Sequence, residues 1–216
     1  MRAPVLLLLL IAGQGLYAQD SSALRPFDTI PAFDTDRNQA DWLFDRLAED
    51  GAFVVRLSAD ARRIQAYEEA GHQTMADQLR SEIRAEHDER VEAFRTQFDY
   101  APVYVIHADD HAAVREGLRS GYLLNRDLEV DPAIEIVEDF VVFVDRGTAF
   151  MMQMGDPSNA RAKAETSTPA SQDALVVKDL DLRQIAPPFP GYVPVRFSNV
   201  AKTVRTLNER LHRRAP

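Results

Sequence analysis

Apolar positions recur along this chain with two different spacings, and the alternation between them predicts a mixed α/β domain. From Gln73 onward, Met75, Leu79, Ile83, His87, Val91, Phe94 and Phe98 follow one another at intervals of four or three, which puts them on one face of a helix. Gly71 breaks that helix from an earlier one for which Ser58 and Asp60 offer caps. The opposite face carries Arg84 with Asp88 and Glu86 with Arg90 one helical turn apart, which reads as a solvated charge run with no need of a partner.

The second spacing is that of strands. The run GAFVVRL, residues 51–57, is β-branched and aromatic with polar edges and predicts the first strand. Val103 to Ile106 predicts the second, Tyr122 to Leu124 a short third, and FVVFV over 140–144 has the uninterrupted apolar character of a central strand covered on both faces. Asp145-Arg146-Gly147 reads as a turn into Thr148 to Met154, a hairpin arm. Ala174 to Lys178 is a further strand, Asp179 to Asp181 a turn, and Leu182 to Ile185 its continuation. Asn38 is placed to cap a short helix ending at Asp50-Gly51, where glycine closes it, and Ser198 to cap a last helix with Val200, Val204, Leu207 and Leu211 on one face. The expected architecture is a single α/β domain over 38–216, a mixed central sheet covered by the long amphipathic helix and the C-terminal helix. An extended segment, 19–37, is laid along it.

Compartment and composition narrow the function. Arg2, an apolar core from Val5 to Ala12 and the small-residue stretch ending at Ala18 have the order of a secretory signal peptide, 1–18, too short to span a bilayer. The expected location is periplasmic or extracellular. Its removal takes away one basic residue, leaving 24 Lys and Arg against 34 Asp and Glu, a formal charge of −10. That excess of acid repels phosphate backbones, so no nucleic-acid partner is expected. The chain has no cysteine, which excludes disulfides, thiolate metal sites and thiol redox chemistry and leaves the hydrophobic core to provide stability. The segment GDPSNARAKAETSTPASQD, 155–173, has no apolar residue beyond alanine and predicts a disordered loop.

Candidate chemistry is sparse. The octet YVIHADDH, 104–111, ends an apolar run with His107, Asp109, Asp110 and His111, at the carboxyl end of a predicted strand, where open α/β sheets place their ligands. The preferred reading is that Asp109 or Asp110 caps the next helix, which runs to Ser120-Gly121; the rival is a metal or acid/base site made of those four residues. Asp127 to Glu138 has acids at the spacing of a calcium loop, but Pro132 stands where that loop needs a positive φ, so a standard EF-hand is excluded. His87, on the apolar stripe, reads as a core residue with one hydrogen bond, His72 as a cap residue and His212 as part of a frayed tail. The serines sit in no nucleophile elbow and no lysine in a P-loop. The proline-rich APPFPGYVP, 186–194, reads as a strap on its own domain, and the basic last helix as a solvated face by default.

YAPVYVIHADDH and ALVVKDLDLRQIAPPFPGYV resemble segments of small exported bacterial proteins with no assigned activity, over about Ala52 to Leu211; the resemblance carries no catalytic residue. The order of elements is also similar to thioredoxin-like folds, whose redox pair is absent here. The leading expectation is therefore an exported, non-enzymatic binding or interaction protein of the cell envelope, with no cofactor and an unknown protein or small-molecule partner. Two alternatives stand beside it: a metal-dependent or acid/base hydrolase centred on His107 to His111, and a cysteine-less thioredoxin-like module that binds peptides in a groove beside Tyr122 to Leu124.

Overall fold

The computed structural model describes residues 24–150, 171–195 and 199–213. The expected signal peptide, 1–18, and most of the 155–173 stretch lie outside them. Five strands form one mixed sheet in the order β2-β1-β3-β4-β5: β1 (Gly51–Leu57), β2 (Val103–His107), β3 (Phe140–Phe150), β4 (Ser171–Lys178) and β5 (Tyr192–Pro194). β1 runs parallel to both β2 and β3, with Val55 opposite Val105 on one side and Val144 on the other; β4 and β5 add antiparallel. Helices α1 (Asp36–Asp50), α2 (Ala61–Glu69), α3 (Gln73–Gln97), α4 (His111–Arg115) and α5 (Val200–His212) complete the described secondary structure, with a 3-10 turn over Ala108–Asp110.

Strand alternation divides the core in two. Phe53, Val55, Leu57, Val142, Val144, Leu175 and Val177 face α1, α3 and α5 and pack with Leu43, Phe94 and Val204. Ala52, Val54, Val141 and Phe143 face the other way, against Phe27, Val114, Leu123 and Ile136, which come from the short helix α4, turns and irregular chain. One face of the sheet is therefore helical and the other is covered by the 108–139 connection and the N-terminal segment. Arg119 pins the second cover. Its buried guanidinium lies over the Phe27 ring at 4.0 Å, donates to the carbonyls of Arg25 and Glu138, and pairs with Asp139 at 3.2 Å.

Several expected boundaries move. Thr35, not Asn38, caps α1, its hydroxyl oxygen accepting the Asn38 amide at 3.2 Å. Gly51 does not close α1 in a left-handed turn; its φ is −117°, and it is required because a Cβ there would stand 2.5 Å from Leu47 Cα. Gly71, with φ +74°, does break α2 from α3. Asp145-Arg146-Gly147 is no turn: β3 continues through it, held by pairing with Leu175 and its neighbours on β4, so local turn residues yield to ladder hydrogen bonds. Leu182 to Ile185 does not prolong β4 but folds back, Ile185 N–H donating to Val177 O and Leu182 taking φ +62° at the turn. Tyr122 to Leu124 forms single bridges, Leu123 to Ile106 and Leu124 to Val130, rather than a strand. α5 is capped by Asn199, whose side-chain oxygen accepts from the Lys202 amide at 2.8 Å; Ser198 lies outside the described residues.

Candidate functional site

A cavity of about 470 Å³ opens at the carboxyl end of β1, beside the end of β2 and the middle of β3. Open α/β sheets bind ligands at this edge because loops and helix ends diverge there and leave room between them. Its walls come from five separate stretches: Arg56 near the end of β1 with Ser58 just after it, Glu86, His87 and Arg90 on α3, Ala108 after β2, Asp145 to Gly147 on β3, and Asp173 on β4. β-alternation puts Arg56 and Asp145 on the face away from α3 and Arg146 with Asp173 on the face toward it, so the cavity straddles the edge of the sheet.

Charge organises this cavity. The Oδ2 atom of Asp145 accepts from Arg56 Nη1 at 2.7 Å and from Lys178 Nζ at 2.6 Å. The Oε1 atom of Glu86 accepts from Arg146 Nη1 at 3.0 Å and also from Arg90 Nη2. Two carboxylate oxygens thus hold four cations. Arg146 has a further partner, Asp173, at 2.9 Å. Burial is uneven across these pairs: the Arg90 side chain is 5% exposed against 39% for Glu86, whereas Arg56 and Asp145 are matched at 11% and 12%. Only Asp145, at 12%, is a buried acid among them. Burial pulls the Arg90 guanidinium below its ordinary value, the neighbouring Arg146 charge acting in the same sense and Glu86 against it. The Nε atoms of Arg56 and Arg90 are both buried without a hydrogen-bond partner.

His87 lies at the cavity wall, buried, its Nε2 sharing a hydrogen bond with the Ser58 carbonyl at 3.1 Å. Burial holds the imidazole below the ordinary value of 6.5, so at neutral pH it is uncharged and Nε2 carries the proton donated to that carbonyl. Committed in this way, Nε2 is not free to take a proton from the Ser58 hydroxyl, which removes the usual serine–histidine activation from this pair.

The octet singled out in the sequence borders this cavity through its backbone. His107 ends β2 with an exposed side chain; the carbonyl of Ala108 accepts from Arg56 Nη2 at 3.0 Å. Asp109 is exposed, and Asp110 and His111 are partly buried. The cap reading is corrected: Asp110 stands at the N-cap of α4 without a side-chain cap bond, and the preceding 3-10 turn has none either. α4 also stops at Arg115, because Gly117 turns the chain at φ +86° and lies against Arg25 and Pro26. Among the described residues no group of three or more His, Asp or Glu side chains gathers as a metal site. The acidic stretch 127–138 makes a tight loop in which Asp131 accepts the Ala133 amide at 2.9 Å. A second cavity, of about 280 Å³, lies beside β2 and Leu124, walled by Val103, Tyr104, Phe94 and Ile134.

The charge run of α3 is the other correction. Arg84 and Asp88 are solvated as expected, but Glu86 and Arg90 belong to the cavity. The signal was present: Arg90 stands three residues after His87 and four before Phe94, on the apolar stripe by spacing. His212 is no frayed end; it pairs with Asp99 at 2.8 Å and meets the Tyr100 ring edge-on at 5.3 Å. Arg210 and Arg205 of the basic helix bind Tyr192 O and Gln97 of the same domain.

Fold and cavity together define an α/β protein with one helix-covered sheet and a polar cavity at its carboxyl edge. Comparison with protein-family models, curated proteins and solved structures gives no significant match.

Proposed function

We propose that this chain is an exported, non-enzymatic binding protein of the cell envelope that takes a small polar ligand into the cavity between the carboxyl end of β1 and the middle of β3. The observation that carries this reading is a solvent-open cavity lined by two largely buried guanidinium groups, each of which keeps a buried Nε without a hydrogen-bond partner. Buried polar groups are satisfied in the great majority of cases, because each one left unmet costs about 1–3 kcal/mol. The non-enzymatic reading is supported by the same cavity, whose histidine donates to a backbone carbonyl and whose Asp145 and Glu86 carboxylates accept from arginines and lysine. Export is supported by the charged, apolar and small-residue order of residues 1–18, and no helix among the described residues is long and apolar enough to cross a membrane.

A cavity-filling substitution tests the reading. Gly147 lines the cavity, and a Cβ built on it meets nothing within 4 Å. Gly147→Phe is expected to leave the melting temperature within roughly 2 °C of the parent, since a surface change away from packed groups stays within about ±0.5 kcal/mol. The same change is expected to abolish retention of any small molecule that native mass spectrometry detects on the purified parent. Retention unchanged in this variant would place the ligand elsewhere. The rival reading, a hydrolase using His107, Asp109, Asp110 and His111, predicts a stoichiometric metal ion in the purified protein that is lost in His107→Ala, and elemental analysis measures it.

A further inference from the structure

Buried arginines inside a network of acids are compatible with two roles, a closed structural ion-pair cluster or a receptor for an outside charge, and the distribution of donors separates them. A closed cluster matches each guanidinium with acceptors on its own scale of burial. Here Arg56 is matched by Asp145, at 11% and 12% exposed, but Arg90, at 5%, pairs with Glu86 at 39%, and Glu86 and Asp173 sit at the rim, where water screens them. Arg56 uses Nη1 on Asp145 and Nη2 on the Ala108 carbonyl; Arg90 uses Nη2 on Glu86 and reaches the Arg56 carbonyl with Nη1 only at 3.4 Å. A guanidinium offers a fork of donors wider than that, and in both residues Nε finds no acceptor.

From this we infer that the ligand bears a small oxyanion group, a phosphate or a carboxylate, which ion-pairs with the guanidinium groups of Arg56 and Arg90 in the floor of the cavity, with Arg146 closing over it from the rim. This rests on the cavity being the ligand site. Arginine suits an oxyanion because its planar fork presents two parallel N–H donors to two oxygens, which an ammonium cannot do. The rim acids have a consequence for ligand choice. Glu86 and Asp173 already hold Arg146, so an incoming oxyanion shares a cation that is bridged at two points, and a bulky polyanion meets negative charge at the mouth before it reaches the floor. The recognised group is therefore compact.

The test is isothermal titration of the full mature chain in a low-salt chloride buffer with inorganic phosphate in one arm and acetate in the other. One saturable site for at least one of the two probes is expected, and the stronger probe names the group. Arg90→Gln is expected to weaken it at least tenfold. Because Arg90 is buried and its loss could unfold the domain, Arg56→Lys provides the second variant: it keeps the charge, loses the fork, and is expected to weaken the same probe several-fold with circular dichroism unchanged. Lys202→Gln, on α5 away from the cavity, is expected to bind as the parent does. Failure of both probes to saturate a site overturns the oxyanion inference. Equal weakening by Lys202→Gln overturns it as well, since binding would then follow net charge rather than the fork. If both probes fail while Gly147→Phe still removes a retained neutral molecule, the cavity reading survives without the oxyanion. If no molecule is retained either, both fall.

Discussion

His87 and Arg90 show how one turn of helix carries both packing and polarity. His87 holds its place on the α3 stripe because its uncharged ring satisfies the Ser58 carbonyl. Burial is the main cause of its lowered pKa, with Arg90 and His107 acting in the same sense and Glu86 and the Ser58 hydrogen bond against it. The folded value lies below 6.5, so as pH falls through about 6.5 the unfolded chain takes up a proton that the folded chain refuses. Stability is complete above that pH and is lost below it, at up to about 1.4 kcal/mol per pH unit from this group. Chemical denaturation between pH 7.5 and 5.5, in the range about the ordinary histidine value, is expected to show a shallower decline for His87→Gln than for the parent; parallel declines would remove His87 as the cause. Arg90 was equally legible by spacing. A charged residue on an apolar stripe is hidden from a reading that sorts helix positions by polarity alone, because the aliphatic stem packs while the guanidinium reaches past the core to an edge.

Elements in this chain are set by pattern in their interiors and by tertiary contact at their ends. β1 occupies the predicted 51–57, and the breaks around Gly71 fall where expected, because β-branched runs and a positive-φ glycine act locally. Ends differ. α5 begins at Val200 with Asn199 as its cap, and Asn199→Ala is expected to cost about 1 kcal/mol, lowering the melting temperature by roughly 2–4 °C, whereas Ser198→Ala is expected to change it little. Differential scanning calorimetry of the two variants decides which residue caps the helix. β3 ran through three residues of turn character because β4 lies along it as far as Phe150, a partner more than twenty residues away that no local window contains. α4 ended after five residues because Gly117 packs against the N-terminal segment, again a contact made from outside the element.

At the scale of the whole molecule, the two faces of the sheet are held by different means. Helices α1, α3 and α5 cover one face with continuous apolar stripes. The other is closed by turns whose attachment depends on Arg119, a residue with no marker in the sequence around it. Arg119→Met removes donors from the buried Glu138 carbonyl and from Asp139, and is expected to cost about 3 kcal/mol, with faster proteolysis between Leu24 and Ile30. Equal protease resistance in the variant would show that Phe27 and Ile136 hold this cover without it. The sequence by itself determined the α/β class, the long helical cover, most of the strands and the lack of any thiol chemistry, because each rests on periodicity or composition within a short window. Tertiary structure alone decided the order β2-β1-β3-β4-β5, the second cover and the gathering of Arg56, Arg90, Arg146 and Asp145 from three separate elements. A site of that kind depends on which strand ends become neighbours, and strand neighbours are fixed by long-range pairing rather than by the residues beside them in the chain.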